Sequence, residues 1–80
     1  MHYDSESDLP DTVRNQLPAD AQTVFRTAYN AAWETYSEEP IDPDVPKPGR
    51  HETAQQEAWN SVRALFERQE NGEWRHRSLP

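Results

Sequence analysis

Four residues near the end of the chain, Trp74, Arg75, His76 and Arg77, interleave an aromatic ring with basic side chains. An indole can stack on a base while guanidinium groups contact phosphates, so this run is the candidate partner-binding site and its chemistry is that of nucleic-acid contact. The charge of the whole chain opposes that use. Fifteen Asp and Glu against eight Lys and Arg give a formal net charge of −7, which repels a polyanion at long range and leaves only a weak, salt-sensitive local patch. Nucleic-acid binding through Trp74 to Arg77 is therefore the alternative reading.

Glu38, Glu39, Asp42 and Asp44 are the second chemically suggestive group, because clustered carboxylates can hold a divalent cation. Their spacing is wrong for a calcium loop. Such a loop needs acids at alternate positions, a glycine for the sharp turn and a closing glutamate, whereas Pro43 separates the two aspartates and Val45 and Pro46 follow. The three histidines, His2, His51 and His76, lie far apart, and none has another histidine one helical turn away. Calcium, magnesium and zinc are accordingly expected to bind no tighter than millimolar and to leave the fold unchanged, and a stoichiometric micromolar site in calorimetry would overturn this. His51 reads as a half-buried or capping histidine near a helix start. Trp33, Tyr36 and Trp59 stand at helical spacing and read as core.

No cysteine is present, which excludes disulfides, thiolate nucleophiles and cysteine-ligated metal. No nucleophile and base stand in a recognisable arrangement, so the chain reads as a non-enzyme without a cofactor. Its eighty residues make a single domain, spanning 1–80, with a narrow stability margin. No apolar run approaches the roughly 18 residues that a spanning helix needs, and Met1 to Glu6 do not read as a signal peptide. A monomeric cytoplasmic protein without membrane insertion is expected.

The elements that would position these residues are delimited by proline and glycine. Pro40, Pro43, Pro46 and Pro48 fall in one acidic stretch, 38–48, which cannot be helical and reads as an extended linker inside the domain. Before it, a long helix is predicted from about Ala19 to Tyr36. Ala21, Phe25, Ala28, Ala32 and Tyr36 fall on one stripe, which Val24, Ala31, Tyr29 and Trp33 widen to an arc of roughly 200°. After the linker, a second long helix is predicted from about Arg50 to Gln69. It would be capped by Gly49, would carry Ala54, Ala58, Trp59, Val62, Leu65 and Phe66 on its apolar face, and would stop at Asn71 and Gly72. Leu9, Val13 and Leu17 mark a short helix ahead of both, entered at Pro10, which must dock on the long ones to be stable.

These segments also carry a family pattern. Asp8, Leu9 and Pro10, then Val13, then Leu17 and Pro18 with Ala21 and Gln22 resemble the opening of the ChaB family. Ala28 to Trp33 with Tyr36 looks like its middle motif, and Glu52, Thr53 and Ala54 with Ala58, Trp59 and Val62 look like its third. Gly72 with Trp74 is similar to its ending, so the resemblance spans nearly the whole chain. Two departures are a glutamine at position 55, where relatives often carry histidine, and a linker richer in proline.

The resemblance implies a mostly helical fold, a short helix and two long ones in one core with a small two-stranded sheet. The sheet needs strands from the ends, and residues 2–4 are predicted to pair with residues 73–76. The resemblance also implies a regulator of cation transport, a family named for association with a sodium and calcium/proton antiporter, and brings no catalytic residues. The expected partner is a protein, an antiporter or its regulator. The acidic lead-in, where five carboxylates face only Arg14 in residues 1–20, and the acidic linker are suited to basic cytoplasmic loops.

Overall fold

A computed structural model of the protein describes residues 2–37, 44–46 and 48–77. After a single 3-10 turn at Glu6–Asp8, the chain forms α1 (Asp11–Gln16), α2 (Ala19–Thr35), α3 (Arg50–Leu65), β1 (Phe66–Arg68) and β2 (Trp74–His76). The fold is mostly helical, with three helices and a two-stranded antiparallel sheet.

One four-residue rhythm builds the core. Leu9, Val13, Leu17, Ala21, Phe25 and Tyr29 are all buried, so the apolar edge of α1 continues into that of α2. Ala54, Ala58, Val62 and Phe66 answer it from α3 and the residue after it. Residues four apart lie above one another on a helix, which turns this spacing into a continuous seam. Ala21, Ala54 and Ala58 are completely buried, and side chains that small let α2 and α3 approach closely. The helices run antiparallel: Trp33 meets Arg50, Tyr29 meets His51, and Phe25 packs edge-on against Trp59 with centroids 5.1 Å apart.

Near the C-terminus of each helix a backbone carbonyl accepts from a side chain further along the chain. Gln22 donates to the carbonyls of Leu17 and Arg14 at 2.8 and 3.3 Å at the end of α1. Arg50 Nε donates to Trp33 O at 2.9 Å near the end of α2, with its guanidinium 4.3 Å from the Trp33 ring centroid. Arg77 Nε donates to Arg63 O at 2.7 Å near the end of α3. Orphan carbonyls usually find partners in a glycine-based cap or in basic residues of the last turn. α2 has no basic residue in its last turn, and Arg50 supplies the missing cation from across the linker.

Two expectations are corrected. The sheet does not join the two ends of the chain: β1 and β2 form a hairpin, and Phe66, Glu67 and Arg68 pair with His76, Arg75 and Trp74. The last helix ends at Leu65 rather than Gln69, and Phe66 is already extended at φ −129° and ψ 155°. Glu67, Arg68 and Gln69 are good helix formers, so propensity alone continues the helix. Tertiary context reverses that preference. The hairpin lies near the start of α2, where His76 reaches Asp20, and a longer α3 would overrun its partner there. Asn71 and Gly72 are then the hairpin turn and not a helix stop. Gly72 sits at φ +89°, a conformation that favours glycine, and Asn71 Oδ1 accepts the Glu73 N–H at 3.0 Å.

The N-terminal arm is held by side chains in place of a strand. Asn30 Oδ1 accepts the Tyr3 N–H and Asn30 Nδ2 donates to the Tyr3 carbonyl, both at 2.9 Å. The Tyr3 ring is buried against Tyr29 with centroids 4.6 Å apart. Glu6 anchors the 3-10 turn to α2 through Arg26 and Thr23, each at 3.0 Å. Its own backbone N–H first, then Arg26 and Thr23, hold that carboxyl below the usual carboxylate range.

Candidate functional site

Side chains alternate across a strand, and the hairpin register therefore divides the run singled out in the sequence. Trp74 and His76 share the face toward the helices with Arg68 and Phe66, while Arg75 lies on the other face with Glu67. The Trp74 ring stands 6.1 Å from Trp59, and its Nε1 is buried without a hydrogen-bond partner among the described residues. The His76 ring is tilted against Phe66 with centroids 4.2 Å apart, and its Nε2 lies 3.4 Å from an Asp20 carboxylate oxygen. Arg77 is engaged on the Arg63 carbonyl, with Glu67 at 3.9 Å. The side chains of Trp74 and Arg75 show no hydrogen bond or ion pair among the described residues. The structure thus divides the run between two faces of the hairpin, with Trp74 half-buried and Arg75, His76 and Arg77 exposed.

It builds a cleft instead, with a volume of about 630 Å³, between α3 and the hairpin. Trp59 and Trp74 line it, with Phe66 beside them. Arg63, Arg68 and Arg77 bring three guanidinium groups to it, Glu67 brings a carboxylate, and Gln16 reaches it from the end of α1. Arg63 and Arg68 were not singled out by the sequence. Arg63 stands one helical turn after Trp59, which was a readable signal, but Arg68 joins only through its cross-strand pairing with Trp74.

The other aromatic candidates take supporting positions. Trp33 and Trp59 are half-buried and pack against the core, whose interior belongs to Phe25, Tyr29 and Phe66. Tyr36 is half-buried, and its hydroxyl donates to the Pro48 carbonyl at 2.7 Å. Leu65, predicted on the apolar face, is 53% exposed because the chain leaves the helix there.

His51 is exposed at the start of α3, but its Nδ1 lies 2.7 Å from the Tyr29 hydroxyl. Burial pushes the Tyr29 phenol up to about 12, and the adjacent Tyr3 phenol acts in the same direction. A folded-state value above the free tyrosine value of about 10 means that this contribution to stability is fully present below pH ~10 and is lost as pH rises toward 12. Ultraviolet titration of tyrosinate should accordingly show a late ionisation near 12 that accompanies unfolding and is absent from Tyr29→Phe. Ionisation of every phenol before any loss of helicity would contradict it.

Among the described residues no group of three or more His, Asp or Glu side chains is placed to hold a metal ion. Glu38, Glu39 and Asp42 of the acidic linker lie outside the described residues, and Asp44 is exposed. No helix among the described residues is long and apolar enough to cross a membrane.

A protein-family model described as ChaB matches residues 9–77, which include all three helices and both strands of the hairpin. The chain belongs to the ChaB family. ChaB relatives from Escherichia coli K12 and Shigella flexneri are 33% identical over 78 residues, which cover 98% of this chain and 100% of theirs. Both carry the name "Putative cation transport regulator ChaB". A solution NMR structure of a ChaB protein described in the same words is 34% identical, covers 95% of this chain and 99% of its own, and superposes with a TM-score of 0.75. The ChaB fold expected from the sequence, helices with a small sheet, is the fold observed.

Proposed function

We propose that this protein is a non-enzymatic regulator of cation transport that acts by docking on a protein partner, a cytoplasmic segment of a sodium or calcium/proton antiporter or a regulator of one. The match over 98% of the chain to proteins named as cation transport regulators carries this reading. The character of the surface supports it. Asp4, Asp8, Asp11 and Asp20 are exposed along the lead-in, and Asp44 is exposed within the linker. Cytoplasmic loops of membrane proteins are enriched in Lys and Arg, so an acidic face meets them with complementary charge.

Docking of this kind weakens with salt, because exposed charges separated by more than a Debye length of about 8 Å at physiological ionic strength are screened. A partner captured from lysate should be released between about 50 and 500 mM salt. Neutralising Asp4, Glu38, Glu39, Asp42 and Asp44 to their amides should weaken capture by at least about tenfold, or ~1.4 kcal/mol. Capture that is indifferent to those five substitutions would reject the acidic face. The nucleic-acid alternative predicts recovery that is lost to nuclease and to Arg75→Ala with Arg77→Ala. The formal net charge of −7 weighs against it.

A further inference from the structure

We infer that the cleft between α3 and the hairpin is a second docking site, opposite in sign to the rest of the protein, for an extended acidic peptide segment that carries one large apolar side chain. This goes beyond the docking of basic loops on the acidic face. It concerns different residues and a different chemistry.

Charge is the first argument. The chain carries −7, yet Arg63, Arg68 and Arg77 converge on this one cleft against the single carboxylate of Glu67. Their engagements leave capacity. Arg77 spends its Nε on the Arg63 carbonyl and keeps Glu67 only at 3.9 Å, while Arg63 makes one 3.3 Å contact with Asn60. Arg68 has no hydrogen bond or ion pair among the described residues. A guanidinium presents a planar fork that fits a carboxylate in bidentate fashion, and the strongest such contacts form where an apolar wall excludes water on one side.

That wall is the second argument. Trp59 and Trp74 stand beside one another at 6.1 Å, and Trp59 is held from behind by its edge-on contact with Phe25. Indoles locked by core packing offer large apolar area at little entropic cost, the property that enriches tryptophan and arginine at the centres of protein interfaces.

The shape indicates an extended occupant. A neighbouring cleft of about 310 Å³ shares Trp59 and Arg63 as its wall and continues along α3 to Gln55, Gln56, Asn60 and Glu52. The two together run from a cationic end at the hairpin, past an aromatic middle, to an amide-lined end closed by Glu52. A lone small anion engages only the first part. An extended peptide can lay its carboxylates at Arg63 and Arg68, its apolar side chain on the indoles and its backbone along the glutamines. A long polyanion meets the repulsion of the whole protein, whereas a segment of a few residues meets only the local field.

Selection from a phage-displayed library of random heptapeptides tests this with the full chain as bait. Enrichment of sequences with two or more Asp or Glu next to Leu, Phe or Trp is expected. A fluorescein-labelled peptide of the enriched sequence should bind with saturable anisotropy and change tryptophan emission. Arg63→Glu with Arg68→Glu should reduce its affinity at least about tenfold while the circular dichroism spectrum is unchanged. Trp59→Phe, which keeps an aromatic ring, should lower affinity and preserve charge selectivity. Absence of acidic enrichment, or equal binding by the Arg63→Glu and Arg68→Glu protein, overturns the inference. So does an oligothymidine that outcompetes the peptide from the same arginines, which would hand the cleft to nucleic acid. Retention of salt-dependent capture on the acidic face by the same double variant separates failure here from failure of the proposed function.

Discussion

Phe66→Ala is expected to remove most of the stability of this protein. Phe66 is 1% exposed and is the joint between α3 and the hairpin, with the His76 ring 4.2 Å away. Truncating a buried phenylalanine typically costs about 3–5 kcal/mol, from lost transfer energy and from the cavity left behind. An 80-residue domain has on the order of 4–12 kcal/mol in total. The melting temperature should therefore fall by at least about 12 °C. Emission from Trp74, which packs on the same face of the hairpin, should shift to the red before helicity is lost. Phe66→Leu keeps an apolar side chain and should lose less. Were Phe66→Ala to melt within about 1 kcal/mol of the parent, the hairpin would not be part of the core.

The second large effect is expected at the N-terminal arm. Tyr3 is 5% exposed and packs against Tyr29 with tilted rings, so Tyr3→Ala should cost about 3 kcal/mol. Asn30→Ala removes both bonds that hold the Tyr3 backbone and should cost about 1–3 kcal/mol. The two changes act on one attachment, so the double variant should lose less than the sum. Deleting residues 1–4 should reproduce Tyr3→Ala, and it should alter the surroundings of Tyr29 while sparing Trp74. A response at Trp74 and none at Tyr29 would contradict the anchoring of the arm on α2. Denaturant midpoints for the single and double variants decide the matter.

The two predictions turn on positions where local and long-range forces point different ways. At the arm, Tyr3 stands among polar residues and reads as a strand that needs a partner strand. The partner is a single side chain 27 residues away, because an asparagine amide can reproduce the donor and acceptor of a neighbouring strand at one residue. At position 66 the chain is locally content as helix, and only the place where α2 begins makes the helix stop. The Asn71 and Gly72 pair was informative in either case. It marks a hairpin turn as strongly as a helix end, and the choice depended on whether Phe66 and Arg68 were already extended.

The sequence by itself determined where the helices start and most of what they bury. Proline and glycine set the starts of α1, α2 and α3, and helical spacing marked Leu9, Val13, Leu17, Ala21, Phe25, Ala54, Ala58 and Val62 as inward, since periodicity and capping act within a few residues, whereas Ala31 and Leu65, read on the same faces, are exposed. Family membership was legible for the same reason, because it rests on those spacings. Tertiary structure alone decided the sheet and the cleft. The approach of α3 to the start of α2 ended the last helix, the hairpin register sent Trp74 inward and Arg75 outward, and the Arg63 carbonyl claimed Arg77. Arg63, Arg68 and Trp59 became one site only when a strand folded back beside a helix. A linear run such as Trp74 to Arg77 shows which groups are near in the chain, whereas the faces they occupy depend on a partner strand that no local signal specifies.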